Sequence, residues 1–439
     1  MDHLSYSSDA ATRLLPPVFD TAADLTDLPR QLEPWHVSAG SSARPLITAC
    51  LKKARAHGGW EWPEKPLVFL SDPHADAEGF LRSLVASGVI QRNADRNGFA
   101  LTPFGQQAKI ILGGDCLDKG PSNLAMLDAL GELHRSGADL HILAGNHDLR
   151  MKLAIGALRG PRSPLTDHLF VRMGRKILPA LREVYDRYVT PEDMIDLPSE
   201  DACSARLHPL PDWSERFAIA ARDQLRPKVI TKEIRKLAEK REQFDREAAI
   251  TGLTNRQLMA AALKCHDIFF TPNGPYAWFY ENMDVIARSG SMLFVHAGLC
   301  DNMCKLLAKG GTQALNERYR NGAKNASLGF YFGPLANLVR TKYRPSDCKL
   351  TNRGVDRLHR IGIHMVVQGH VNNHSGQRLL AKRGLLHLEG DVTLDRTSRR
   401  LEGLDGIGAG ATLIFPSGDV IGLSRDYPRA KHFAPERYI

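Results

Sequence analysis

Short apolar runs alternate with amphipathic stretches over two parts of the chain. The runs Leu67-Val68-Phe69-Leu70, Lys109-Ile110-Ile111-Leu112 and Leu140-His141-Ile142-Leu143 have the length of buried strands. Between them, 77–87 and 121–136 read as helices; Leu124, Leu127, Leu130 and Leu133 recur at helical spacing, and Pro121 suits a first turn. Strand–helix–strand alternation predicts βαβ units and a sheet covered by helices. The rhythm returns with Met292-Leu293-Phe294-Val295 and Met365-Val366-Val367-Gln368. It closes on Ala411–Phe415 and Val420–Leu423 around the turn Pro416-Ser417-Gly418.

From 151 to 290 the pattern is instead that of Pro-bounded helices, with an amphipathic helix over 228–249. Its Ile230, Ile234, Leu237, Phe244 and Ala248 would pack on the body, or else offer a face to a partner helix. A short helix is expected over Leu46–Ala56. The predicted division is an N-terminal extension 1–65, a first core half 66–150, a helical insertion or cap 151–290, and a second core half 291–439.

Composition narrows the class. In 439 residues, 58 Lys+Arg against 49 Asp+Glu leave a net charge of +9, with 43% hydrophobic and 24% charged residues, which excludes disordered and fibrous chains. The charge excess would favour anionic substrates, yet it forms no concentrated basic stripe, so nucleic acid is not an expected partner. No apolar window has membrane-spanning length and no signal-like leader is seen, so a cytoplasmic protein without membrane contact is expected. Seven cysteines, an odd number without a CxxC pair, argue against a disulfide framework.

The chemistry sits behind the strands. Asp72 and His74 follow the first run, Gly114-Asp115-Cys116-Leu117-Asp118-Lys119-Gly120 the second, and Gly145-Asn146-His147-Asp148 the third. His296-Ala297-Gly298 and Gly369-His370 follow the later runs. In open α/β sheets the ligand crevice lies beyond the carboxyl ends of strands. Two carboxylates, an amide and imidazoles without a thiolate suit Mn, Fe or Zn, and a carboxylate can bridge two ions. Taken singly, each residue has an ordinary alternative: Asp72 a turn former, Asp118 a helix cap, His296 a core histidine.

As a set, these motifs resemble the calcineurin-like metallophosphoesterases, most closely their phosphoprotein-phosphatase branch, with its bacterial and Shewanella-like members, and the symmetrical diadenosine tetraphosphatases. The resemblance covers about half of the chain, 67–150 and 291–425. It implies a four-layer α/β/β/α sandwich and two divalent metal ions, with Mn the leading candidate and Fe or Zn the others. Asp72, His74 and Asp115 would hold one ion, and Asp115 would bridge to a second held by Asn146, His296 and His370. His147 would be the general acid and Asp118 its partner. Two cations lower the pKa of a water between them and neutralise phosphate charge.

The chain departs from the family pattern where Asn372 replaces a frequent second histidine, with His374 as an outside substitute. Lys119 stands where relatives carry a phosphate-gripping Arg, and Lys lacks the planar fork. Arg150 and Arg340 could compensate, and Asp391 could lie behind the metals. The implied reaction is phosphomonoester hydrolysis, foremost on phosphoprotein, with a diadenosine tetraphosphatase-like reaction on nucleotides as the alternative.

Overall fold

The computed structural model describes residues 25, 28–29, 31–35, 43–93, 98–325, 328–341, 347 and 349–438. Cys348 and residues 1–24 of the N-terminal extension lie outside them. Two mixed sheets face each other. The larger runs in the order Leu32–Pro34, Ala430–Phe433, Val420–Ser424, Gly410–Ile414, Leu67–Leu70, Lys109–Leu112, Asp139–Leu143, Met283–Asp284. The smaller runs Arg378–Lys382, Leu385–Glu389, Met365–Gln368, Met292–Val295, Ile286–Ser289.

Alternation along the strands builds two interiors at once. Leu67, Phe69, Ile111 and Leu143 meet Met292, Phe294, Met365, Val367 and Leu388 between the sheets. Val68, Leu70, Ile110 and Leu112 point the other way, into a core shared with the helices. Ala77–Ala86 and Asn123–Arg135 pack on the larger sheet; Asp301–Asn325 lies against the smaller one, with Asn352–Arg360 packed on it. This is the expected four-layer α/β/β/α sandwich.

Three strands of the larger sheet, Leu67–Leu70, Lys109–Leu112 and Asp139–Leu143, are parallel and in level register, Leu70 beside Leu112 and Leu112 beside Ile142. In the smaller sheet Met292–Val295, Met365–Gln368 and Leu385–Glu389 are likewise parallel, Val295 beside Gln368 and Gln368 beside Glu389. Six carboxyl ends therefore lie at two sheet edges.

Several local expectations change. Ser122, not Pro121, starts the helix Asn123–Arg135: its side chain accepts from the Ala125 N–H, so Pro121 lies before the cap and Asp118 is not the cap. Between Asp139–Leu143 and Met283–Asp284 every element is helical, and the strands Met283–Asp284 and Ile286–Ser289 precede position 290. The predicted 228–249 helix spans Pro227–Thr251 and buries Ile230, Leu237 and Phe244. That face packs on Val171–Lys176, Leu178–Tyr188 and Trp213–Ala221, with Ile234 and Ala248 partly buried. Six of the seven cysteines are described, all buried and free of disulfides. Among the described residues, no helix is long and apolar enough to cross a membrane.

Candidate metal centre

Backbone conformation marks the site first. Nine described non-glycine residues adopt positive φ, and six of them are predicted site residues: Asp72, His74, Asp115, Asp118, Lys119 and His370. Such conformations persist only where the surroundings enforce them, and they gather at functional sites. Two glycines allow the loops to close. A Cβ on Gly145 would lie 2.1 Å from Asp115 Oδ1, and one on Gly369 would lie 2.3 Å from Asp72 Oδ2.

Donor atoms fall into two groups, His74 with Asp115 and His147, and Asp115 with His296 and His370, the atoms of each lying within 4.8 Å of one another. Asp115 belongs to both. Its Oδ2 lies 3.4 Å from His296 Nε2, 3.9 Å from His74 Nε2 and 3.8 Å from His147 Nε2. Asp72 borders the first group, its Oδ1 3.8 Å from His74 Nε2, while Oδ2 accepts from the His370 N–H at 2.9 Å and from the Ser71 hydroxyl. Asn146 lies between the groups, one atom of its amide 3.0 Å from His370 Nδ1 and the other 3.2 Å from His147 Nε2.

The donors fit divalent ions. His296 donates from Nδ1 to the Gly113 carbonyl at 2.7 Å, which fixes its tautomer. Its buried Nε2 then has no hydrogen-bond partner and faces Asp115. Burial opposes charge on Asp115, but the imidazoles of His296, His147 and His74 hold its carboxyl well below the usual range. Burial also opposes charge on His296, yet Asp115 and Asp72 push that imidazole up to about 10. A buried carboxylate among imidazoles, of which burial favours the neutral form at His74 and His147, is a donor set that a divalent cation can use.

His147 and Asp118, expected as acid and partner, come together. His147 Nδ1 lies 2.5 Å from Asp118 Oδ2, while the His147 backbone N–H donates to Asp115 Oδ1 at 2.8 Å. Burial works against charge on Asp118, but His147 and the Lys176 ammonium keep its carboxyl below the usual range.

The other expected residues have these surroundings. Lys119 Nζ lies 2.7 Å from His74 Nε2, a ring that burial, Lys119 and His147 keep neutral. The Arg340 guanidinium lies 5.4 and 5.7 Å from the Tyr331 and Phe332 ring centroids. Arg150 follows His147 on the helix Asn146–Arg159, close enough to oppose the charge of Lys176. His374 is ion-paired with Glu402 at 2.9 Å and Asn372 also donates to Glu402, so His374 is committed elsewhere.

Asp391 is buried. Its Oδ1 accepts from the Thr393 N–H and its Oδ2 lacks a partner, while burial and the charge of Asp72 push its carboxyl up.

Two residues carry site roles that the sequence did not mark. Asp148 accepts from the backbone N–H groups of Cys116 (3.0 Å), Leu117 (3.1 Å) and Gly145 (3.0 Å), tying the Asp115 loop to the Asn146 loop. Its place in the first turn, three residues after Gly145, was the available signal. The other is Lys176, from the helical stretch.

No protein-family model matches the chain, and no curated protein matches its sequence. Among solved structures, it is similar to a cold-active protein tyrosine phosphatase (TM-score 0.46, 14% identity, 84% of this chain and 78% of that one). Another is the cold-active protein-tyrosine phosphatase of a psychrophilic Shewanella species (TM-score 0.41, 14% identity, 84% and 80%). A third is a serine/threonine phosphatase of Saccharomyces cerevisiae (TM-score 0.37, 10% identity, 89% and 90%).

Proposed function

We propose that this chain is a divalent-metal-dependent phosphatase that hydrolyses phosphomonoesters, foremost on a phosphorylated protein side chain. The observation that carries the reading is Asp115, shared by two donor groups that are buried apart from the half-buried His370, and hydrogen-bonded to the backbone of His147. Asp72, His74 and Asp115 would hold one ion and Asp115, Asn146, His296 and His370 the other. When bound, two such ions supply an activated water and neutralise charge on the phosphoryl group.

The chain's own residues do the rest. Asp118 keeps His147 Nδ1 protonated and turns Nε2 toward the donor groups. Burial lowers the His147 imidazole's hold on a second proton and Lys176 adds to this, while Asp115 and the ionised Asp118 oppose the lowering and so support the form that carries a proton on Nε2. As the bond between phosphorus and the leaving oxygen breaks, the electron pair goes to that oxygen and Nε2 delivers the proton. The choice of phosphoprotein follows the sequence resemblance, and the helical stretch 151–290 is read as a cap over the site.

The test is initial rate with added Mn on a phosphopeptide and on diadenosine tetraphosphate, with Asp115→Ala as background. Preference for the phosphopeptide supports the reading. Preference for the dinucleotide would replace the substrate, and a wild-type rate equal to that of Asp115→Ala on both would refute it.

A further inference from the structure

Lys176 ends the short helical turn Val171–Lys176 and reaches the catalytic pair from outside the two sheets. Its Nζ lies 3.2 Å from Asp118 Oδ2, 3.4 Å from His147 Nδ1 and 3.3 Å from His147 Nε2. An ammonium has three donors and Asp118 occupies one. An oxygen that takes a proton from Nε2 must approach it to about 3 Å, which brings it within reach of the same ammonium.

The turn is held in place. Gly174 has φ +59° and lies against Lys240 of the helix Pro227–Thr251, where an added Cβ would be 2.9 Å from Lys240 Cδ. Arg172 Nε pairs at 2.6 Å with the buried Glu233 of that helix. Lys176 is therefore presented from a braced ledge rather than a free loop.

The surroundings of the ammonium leave it able to take a further acceptor. Burial lowers the Lys176 ammonium's affinity for its proton, Asp118 resists this, and Arg150 and Lys119 add to the lowering. Asp118, the carboxylate paired with the Lys176 ammonium, already serves His147, and an incoming phosphoryl oxygen offers that ammonium a further partner. Lys119, the expected phosphate ligand, is instead turned onto His74.

We infer that Lys176 contacts the substrate, its ammonium meeting the phosphoryl group on the leaving-oxygen side and stabilising the negative charge that develops there. This rests on the phosphatase reading above. Lys176 keeps its proton throughout; His147 gives its own to the leaving oxygen, and water oxygen forms the new bond to phosphorus. The cap thereby supplies a group that the sandwich lacks.

The test compares wild type, Lys176→Ala, Lys176→Arg and the exposed Lys228→Ala, all full-length and with Mn, on phenyl phosphate and p-nitrophenyl phosphate. Lys176→Ala should lower kcat/KM on phenyl phosphate by about tenfold or more, and less on p-nitrophenyl phosphate, whose leaving oxygen needs less stabilisation. Lys176→Arg should restore much of the loss, and Lys228→Ala should match wild type. Should Lys176→Ala melt below the assay temperature, Lys176→Gln gives the same comparison. Wild-type kcat/KM in Lys176→Ala, or an equal loss on both substrates without rescue by Arg, would overturn the inference while leaving the phosphatase reading standing. A wild type inactive on every phosphomonoester would overturn both.

Discussion

Asp118 grips His147 through Nδ1 at 2.5 Å, and the Nε2 nitrogen is thereby turned toward Asp115, 3.8 Å away. The same histidine lies within reach of the first donor group, so geometry alone allows it to be ligand or acid. The engagement of Nδ1 favours the acid, because Asp118 opposes the lowering that burial imposes on the ring. His147→Ala should therefore retain metal while kcat on phenyl phosphate falls on the order of 100-fold, with a smaller loss on p-nitrophenyl phosphate. Metal content measured on the same preparation decides between the roles; loss of an ion would make His147 a ligand.

Close approach of two loops makes Gly145 a sensitive position. Alanine there would drive a methyl group to within 2.0 Å of the Asp115 backbone nitrogen and 2.1 Å of its Oδ1, and both the loop and the carboxylate must shift. Gly145→Ala should weaken Mn binding by about tenfold or more, by analogy with loss of a residue that orients a ligand. Calorimetric titration with Mn reads this directly, and unchanged affinity would mean that Asp115 has more freedom than the contact implies.

Phe69 and Phe294 face each other between the sheets, fully buried, with ring centroids 5.9 Å apart. Phe69→Ala should destabilise the fold by about 3–5 kcal/mol, as large-to-small changes in a close-packed core do. Urea unfolding is the measurement, and a loss below about 1 kcal/mol would show that the interface between the sheets can collapse around the gap.

Much of this architecture is legible in the sequence because both signals are local. Val68 and Phe69 sit on opposite faces of one strand, and each strand's end carries its Asp, Asn or His within a few residues. What escapes is long-range. The hairpin Arg378–Lys382 with Leu385–Glu389 turns on Arg383 and Gly384, both at positive φ, and only the pairing of its second strand beside Met365–Gln368 brings Asp391 to the metal edge. Lys176 carries no local mark at all, since its role depends on how a turn is braced by a helix sixty residues later. Pro121 misled for a different reason: Ser122 offers a side-chain acceptor for the Ala125 N–H, and that cap sets the helix start.

His168 lies buried between Trp213 and Phe217, its ring nitrogens without hydrogen-bond partners. Burial, aided by Arg172, pushes its imidazole down to about 3. An unfolded histidine takes up its proton near pH 6.5. Between about 6.5 and about 3 the unfolded chain therefore binds a proton that the folded one refuses, so this contribution to stability is complete above pH 6.5 and is lost as pH falls. The melting temperature should decline from pH 7 to 4.5, and less steeply in His168→Phe. Parallel slopes in the two proteins would remove His168 from the acid sensitivity.

The sharing of Asp115 by two ion sites is the central claim, and metal stoichiometry tests it most directly. Wild type, Asp115→Ala and His370→Ala are loaded with Mn, freed of excess and analysed for metal per chain. Two ions in wild type, none retained by Asp115→Ala and one retained by His370→Ala are the predicted results. Wild type without bound metal, or Asp115→Ala with wild-type content, would contradict the account.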